Sequence, residues 1–227
     1  MEIPSTHGGD IKDEREIKLE ISQAHHRRLM LSHPSSCPPI IEQLNAIFSR
    51  PSQPSTHTLR VRHECFTGYE GKDPYFAGSL TAKGKSKVVG FAKERPEIPH
   101  ALPPDVALRI IEGRQSILSL IPDPFIFACN VELVRTATYK NFRCPYPLVI
   151  GGIAYTLEID ETVFEDGHID YEVEIEVDDA TKLAEVEEGV KEFFARQGIP
   201  FEVMEKGKGH RAIAHAVPKE ESTAITL

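Results

Sequence analysis

Tyr171-Glu172-Val173-Glu174-Ile175-Glu176-Val177 is the most regular alternation in the chain. Successive side chains of a strand point to opposite faces. Glu172, Glu174 and Glu176 therefore share one face, and Tyr171, Val173, Ile175 and Val177 share the other. Near the N-terminus Glu14, Glu16, Lys18 and Glu20 interleave in the same way with Ile17, Leu19 and Ile21. Residues 59–66 (LRVRHECF) set Arg60, Arg62 and Glu64 on one face, and residues 79–85 (SLTAKGK) group Thr81, Lys83 and Lys85. Residues 153–160 (IAYTLEID) read as another strand, with Glu158 and Asp160 on a common face.

Between these strands the pattern is less uniform. A short helix is expected over 22–33, starting at Ser22, and the apolar segment 40–48 also reads as helical. Residues 86–103 read as irregular and Pro-rich. Residues 105–120 carry a helical apolar stripe that Pro122 and Pro124 stop. One or two strands are expected over 125–142, with turns at Cys144-Pro145 and Gly151-Gly152 and a hairpin at Asp166-Gly167. Asp178 or Asp179 caps a helix to about Gln197, with Leu183, Val186, Val190, Phe193 and Phe194 as its stripe and Gly198 and Pro200 ending it.

Length and composition narrow the function. The chain has 227 residues, enough for one large β-rich domain. Its net charge of −9 and lack of tryptophan disfavour a general nucleic-acid binder, which needs clustered cations and stacking rings. Cys37, Cys65, Cys129 and Cys144 show no metal-ligand spacing and read as free thiols. No apolar run approaches the ~20 residues of a membrane span. The N-terminus, with Glu2, Asp10 and Asp13, lacks an apolar signal core, so a cytoplasmic location and no membrane partner are expected.

Like charges two apart on one strand repel unless counter-charges or metals face them. On a closed barrel, these faces would line a shared interior with carboxylates and guanidinium groups together. Magnesium and manganese take carboxylate oxygens, and Arg and Lys take phosphate oxygens. Spacing alone favours a solvated outer sheet face, because a Glu-rich face is usually one.

Glu14-Arg15-Glu16-Ile17-Lys18 matches the Glu-x-Glu-x-Lys motif of the CYTH domains, or triphosphate tunnel metalloenzymes. Leu59-Arg60-Val61-Arg62 resembles that family's Leu-Arg-x-Arg strand, and the stretch holding Lys83 resembles its Ser-Leu-Lys-x-Lys strand. The segment 135–139 resembles its Arg-containing strand. Leu157-Glu158-Ile159-Asp160-Glu161 and residues 171–176 match two acidic strands in order, over roughly residues 14–210.

The resemblance implies an α+β, mostly β fold: an eight-stranded antiparallel closed β-barrel, the triphosphate tunnel, with flanking helices. It implies a single domain over 14–213, while 1–13, with Gly8-Gly9 and no periodicity, reads as a flexible leader and 214–227 as a disordered tail. It implies metal ligation by Glu14, Glu16, Glu158, Asp160, Glu172 and Glu174, with Mg2+ or Mn2+ as cofactor. Lys18, Arg60, Arg62, Lys83, Arg135 and Lys206 would grip the substrate. Glu14, Glu16, Lys18, Glu172 and Glu174 would carry the chemistry. The implied activity is hydrolysis of a triphosphate, first inorganic tripolyphosphate to pyrophosphate and phosphate. Thiamine, nucleoside or RNA 5′-triphosphates and non-catalytic polyphosphate binding are the alternatives, so an RNA 5′ end is the one nucleic-acid partner kept open. Three departures stand out: Thr81 replaces the first lysine, Phe48-Ser49-Arg50-Pro51 lacks the usual aspartate, and Gly207 and Gly209 disfavour a helix around Lys206.

Overall fold

The computed structural model describes residues 12–35, 38–49, 58–66, 73–117 and 133–217. The leader before residue 12, the tail from residue 218, the segment 118–132, Arg50-Pro51, Cys37 and Cys129 lie outside the described residues.

Ten strands are described. They are β1 (Lys12–Glu20), β2 (Ile41–Ser49), β3 (Thr58–Phe66), β4 (Tyr75–Lys83), β5 (Lys87–Val89), β6 (Ala92–Leu102), β7 (Val134–Ile150), β8 (Ile153–Phe164), β9 (Ile169–Glu176) and β10 (Glu202–Val203). All pairings are antiparallel, in the order β1-β9-β8-β7-β2-β3-β4-β6, and β6 pairs back onto β1. Eight strands thus close into a barrel, with β5 and β10 as short additions. Closure removes the open sheet edges and gives every strand an inside and an outside.

The apolar half of each alternation lies outside, under helices. Helix α3 (Leu183–Gln197) packs Val186, Val190, Phe193 and Phe194 in one cluster with Ile17, Leu19, Leu157, Ile159, Val173 and Ile175. Phe194 is fully buried, and truncating such a ring costs about 3–5 kcal/mol. Gly198 ends α3 in the left-handed conformation, φ +59°, that a side chain would strain. Helix α2 (Pro104–Ile111) covers Ala46, Phe48, Leu59, Val61 and Leu80. Helix α1 (Gln23–Leu31) is capped by the Ser22 hydroxyl, which accepts from the His25 amide. A fourth helix, α4 (Lys208–Ala214), follows Gly207. None of the helices among the described residues is long and apolar enough to cross a membrane.

Several local expectations give way to tertiary context. Segment 40–48 is strand β2, because β3 and β7 flank it on both sides. Residues 92–102 form β6 despite Pro96 and Pro99. β1 pairs with residues 92–97 and β4 with 97–102, so each proline has a barrel neighbour on one side only. β7 runs straight through Cys144-Pro145; β2 stops pairing at Arg143, which leaves Pro145 and Pro147 on a free margin. The helix expected over 105–120 ends at Ile111. The helix disfavoured by Gly207 and Gly209 forms, since Lys208 is buried among barrel carboxylates.

Candidate active site in the barrel interior

The charged half of each alternation lines a cavity of about 610 Å³ inside the barrel. β1 contributes Glu14, Glu16 and Lys18; β9 contributes Glu174 and Glu176. Arg60 and Arg62 come from β3, Lys83 from β4, Lys93 and Arg95 from β6, and Arg143 from β7. The segment 205–210, with Lys206 and Lys208, completes the lining.

Register decides which charges meet. Lys18 stands opposite Glu174, Glu14 opposite Arg95, Glu16 opposite Lys93, and Arg143 opposite Asp160. Arg143 forks onto Asp160, with Nε to Oδ1 at 2.9 Å and Nη2 to Oδ2 at 2.7 Å, and also donates to Glu174 Oε2 at 2.7 Å. Its other nitrogen faces Glu158. Lys208 reaches in from α4 to Asp160 at 2.8 Å and Glu174 at 3.0 Å, and also meets Glu172. Lys18 bridges Glu16, at 2.9 Å, and Glu174. On the β1–β6 side Arg95 donates to Glu14 at 2.5 Å and Glu16 at 3.1 Å, and Lys83 contacts Glu14 at 3.2 Å.

Charge is not balanced around the wall. Arg60 has Glu97 as its carboxylate neighbour at 3.8 Å, and its buried Nε makes no hydrogen bond. Lys93 is 8% exposed and has no ion pair within 4 Å among the described residues. This β3–β4–β6 wall is where an anion gains most.

Titration follows the same division. Burial alone would raise Glu14, but Lys83 and Arg95 hold it well below the usual carboxylate range. Burial likewise opposes ionisation of Asp160 and Glu174, and their cation partners hold both low. Burial pushes Glu158 up to about 7 against Arg143, with Glu174 and Asp160 adding repulsion. Burial, with Arg60 and Arg95 nearby, lowers Lys83 to about 8. Burial and Lys18 lower Lys93 to about 8. Lys18 rises, because Glu16 and Glu174 outweigh its desolvation.

Of the residues singled out in the sequence, Glu14, Glu16, Lys18, Arg60, Arg62, Lys83, Glu174 and Lys206 line the cavity. Glu158, Asp160 and Glu172 stand behind it, against Arg143 and Lys208. Arg135 does not join them. A register shift between Ile47 and Phe48 pairs Arg135 with outward-facing Phe48, and its guanidinium donates to the Ile111 carbonyl outside the barrel. Lys206 is exposed at the mouth, whereas Lys208 is the buried one. The sequence reading also missed Lys93, Arg95, Arg143 and Arg211. The alternation Tyr139, Asn141, Arg143 signals Arg143; Pro96 and Pro99 hid the strand that carries Lys93 and Arg95.

The antiparallel eight-stranded barrel matches the fold of known structures. The chain has the CYTH tunnel fold. A Hippeastrum protein, described as a candidate adenylyl cyclase with a dominant triphosphatase activity, superposes with a TM-score of 0.66 at 20% identity, over 90% of this chain and 97% of that one. A Bacillus halodurans candidate adenylate cyclase gives 0.62 at 17% identity, over 88% and 97%. A Pyrococcus horikoshii protein gives 0.54 at 18%, over 83% and 94%. No protein-family model and no curated protein matches the sequence.

The tunnel's donor set fits a hard divalent cation. Glu158, Asp160 and Glu174 each offer a carboxylate oxygen within 4.8 Å of the others, converging around the Arg143 guanidinium. All-oxygen donors suit magnesium or manganese rather than softer metals.

Proposed function

We propose that this protein is a divalent-metal-dependent triphosphatase whose preferred substrate is inorganic tripolyphosphate, cleaved to pyrophosphate and phosphate. The observation that carries the reading is the two-sided tunnel. Carboxylates of β1 and β9, backed by those of β8, share one cavity with the under-neutralised cations Arg60 of β3 and Lys93 of β6. Among the described lining residues, Tyr139 and His210 are the only rings, which favours a substrate without a base or thiazole to stack.

In this reading Arg60, Arg62, Lys83, Lys93 and Arg95 take the phosphate oxygens and hold the chain extended. Phosphoryl transfer is dominated by such positioning and charge neutralisation. Glu14, Glu16, Glu158, Asp160 and Glu174 would hold the metal, with Glu172 behind them. Magnesium or manganese there would neutralise phosphate oxygens and lower the pKa of an attacking water.

Phosphate release from tripolyphosphate, with and without magnesium or manganese, tests the reading beside Glu14→Gln and Glu174→Gln. Metal-dependent turnover lost in both variants supports it. A folded protein that binds tripolyphosphate without cleaving it under any metal would instead be a polyphosphate-binding module.

A further inference from the structure

Helix α4 is held to the barrel by the ion pairs of Lys208 and Arg211, and its own turns add little. Seven residues make two turns, too few for a helix to persist alone. Its N-cap, Gly207, offers no side-chain hydrogen bond, and Ala212 is its buried apolar contact against Ile47, Ala137, Tyr139 and Phe164.

Its far end is fastened differently. His215 caps the helix and lies flat against His168 of the β8–β9 turn, with ring centroids 4.3 Å apart and planes 3° from parallel. Phe164 closes the stack at 4.9 Å from His215. Each imidazole also meets its own carboxylate: His215 Nδ1 to Asp166 Oδ2 at 2.7 Å, and His168 Nε2 to Asp170 Oδ1 at 2.9 Å. Asp170 uses its second oxygen to accept from Arg211 Nε at 2.6 Å, and Arg211 in turn binds Glu172 inside the barrel.

We propose that His168, His215, Asp166 and Asp170 form a clasp that positions α4, and through it Lys208 and Arg211, in the tunnel. These four are positioning residues that act through the helix. The charged groups facing the two imidazoles are Asp166 from the turn, Asp170 from β9 and Arg211 from α4; Glu165 is turned away to Thr138 and the Val217 amide. The stacked rings fix each imidazole's plane, and the two carboxylates fix its rotation, so the end of α4 is held at a defined place against the β8–β9 turn.

Hydrogen exchange of the α4 amides in the full chain reads the clasp directly. Wild type, His215→Phe and Asp166→Asn are compared, with rates corrected for intrinsic exchange. The phenylalanine keeps the stack and removes the bond to Asp166. The expected result is that α4 opens about fivefold more in both variants than in wild type. Wild-type α4 protection in both variants overturns the proposal. A turnover arm rests on the triphosphatase reading: the KM for tripolyphosphate should rise several-fold in His215→Phe while kcat stays within twofold. If wild type shows no turnover, the functional reading fails, and the exchange measurement still decides the clasp.

Discussion

Arg143 and Asp160 face each other across β7 and β8, joined by two parallel hydrogen bonds of 2.9 and 2.7 Å in the barrel interior. Asp160 is fully buried and also holds Lys208, so one carboxylate compensates two cations from different parts of the chain. Removing one member of such a cluster leaves buried charge uncompensated, which costs more than the cluster gains by forming. Asp160→Ala should lower stability by about 3–5 kcal/mol in urea denaturation. A loss below about 1 kcal/mol would mean that Glu174 and Glu158 absorb both cations unaided.

Arg135 and Arg143 make a matched pair for testing which arginine serves the tunnel. Both lie on β7, but the register shift near Ile47 turns Arg135 outward. Arg143→Ala should reduce tripolyphosphate turnover by about 100-fold or more, as loss of one positioned charge typically does. Arg135→Ala should stay within about twofold. A comparable loss in both would place the outer face in the reaction and overturn the two-sided tunnel.

Lys93 should trade stability against binding. Its folded pKa, about 8, lies below the ordinary 10.5, so the folded state binds this proton less tightly than the unfolded chain. The group therefore costs stability below pH 8, and the cost fades as pH rises from 8 toward 10.5. Lys93→Met should melt a few degrees higher than wild type at pH 7, roughly 1 kcal/mol, with the gap shrinking by pH 10. The same variant should bind tripolyphosphate at least about tenfold more weakly by calorimetry, because a buried cation aimed into the cavity is lost.

Glu158 carries the opposite sign. Its folded pKa, about 7, stands above the ordinary 4.5, so the folded state prefers the protonated form. Stability from this group is present below pH 4.5 and is lost as pH climbs through 7. Without added metal, Glu158→Gln should match wild type near pH 4.5 and exceed it at pH 8, read as melting temperature. A variant less stable than wild type at pH 8 would show that the Arg143 contact outweighs the burial of the carboxylate.

Much of the barrel was legible because strand alternation is a local property. Residues 171–177 and 14–21 each declare a charged and an apolar face without reference to any other segment. The apolar faces are where α2 and α3 pack, and the charged faces look inward. Where the reading failed, the deciding contact was remote. Nothing within residues 40–48 reveals that β3 and β7 will claim them as a strand. The prolines of 92–102 argue locally against a strand, until β1 and β4 are seen to pair with different halves of it.

The sequence by itself determined the alternating faces, the reservoir of carboxylates and cations, and the resemblance to a tunnel barrel, because side-chain direction in a strand depends only on parity. Tertiary structure alone decided which charges meet. Barrel closure brings β6 onto β1 and so sets Arg95 against Glu14 and Lys93 beside Glu16. A single irregularity at Ile47 sends Arg135 out and leaves Arg143 in. The fold of α4 over the barrel buries Lys208 rather than Lys206, because Asp160, Glu172 and Glu174 converge on the Lys208 ammonium and offset its loss of water.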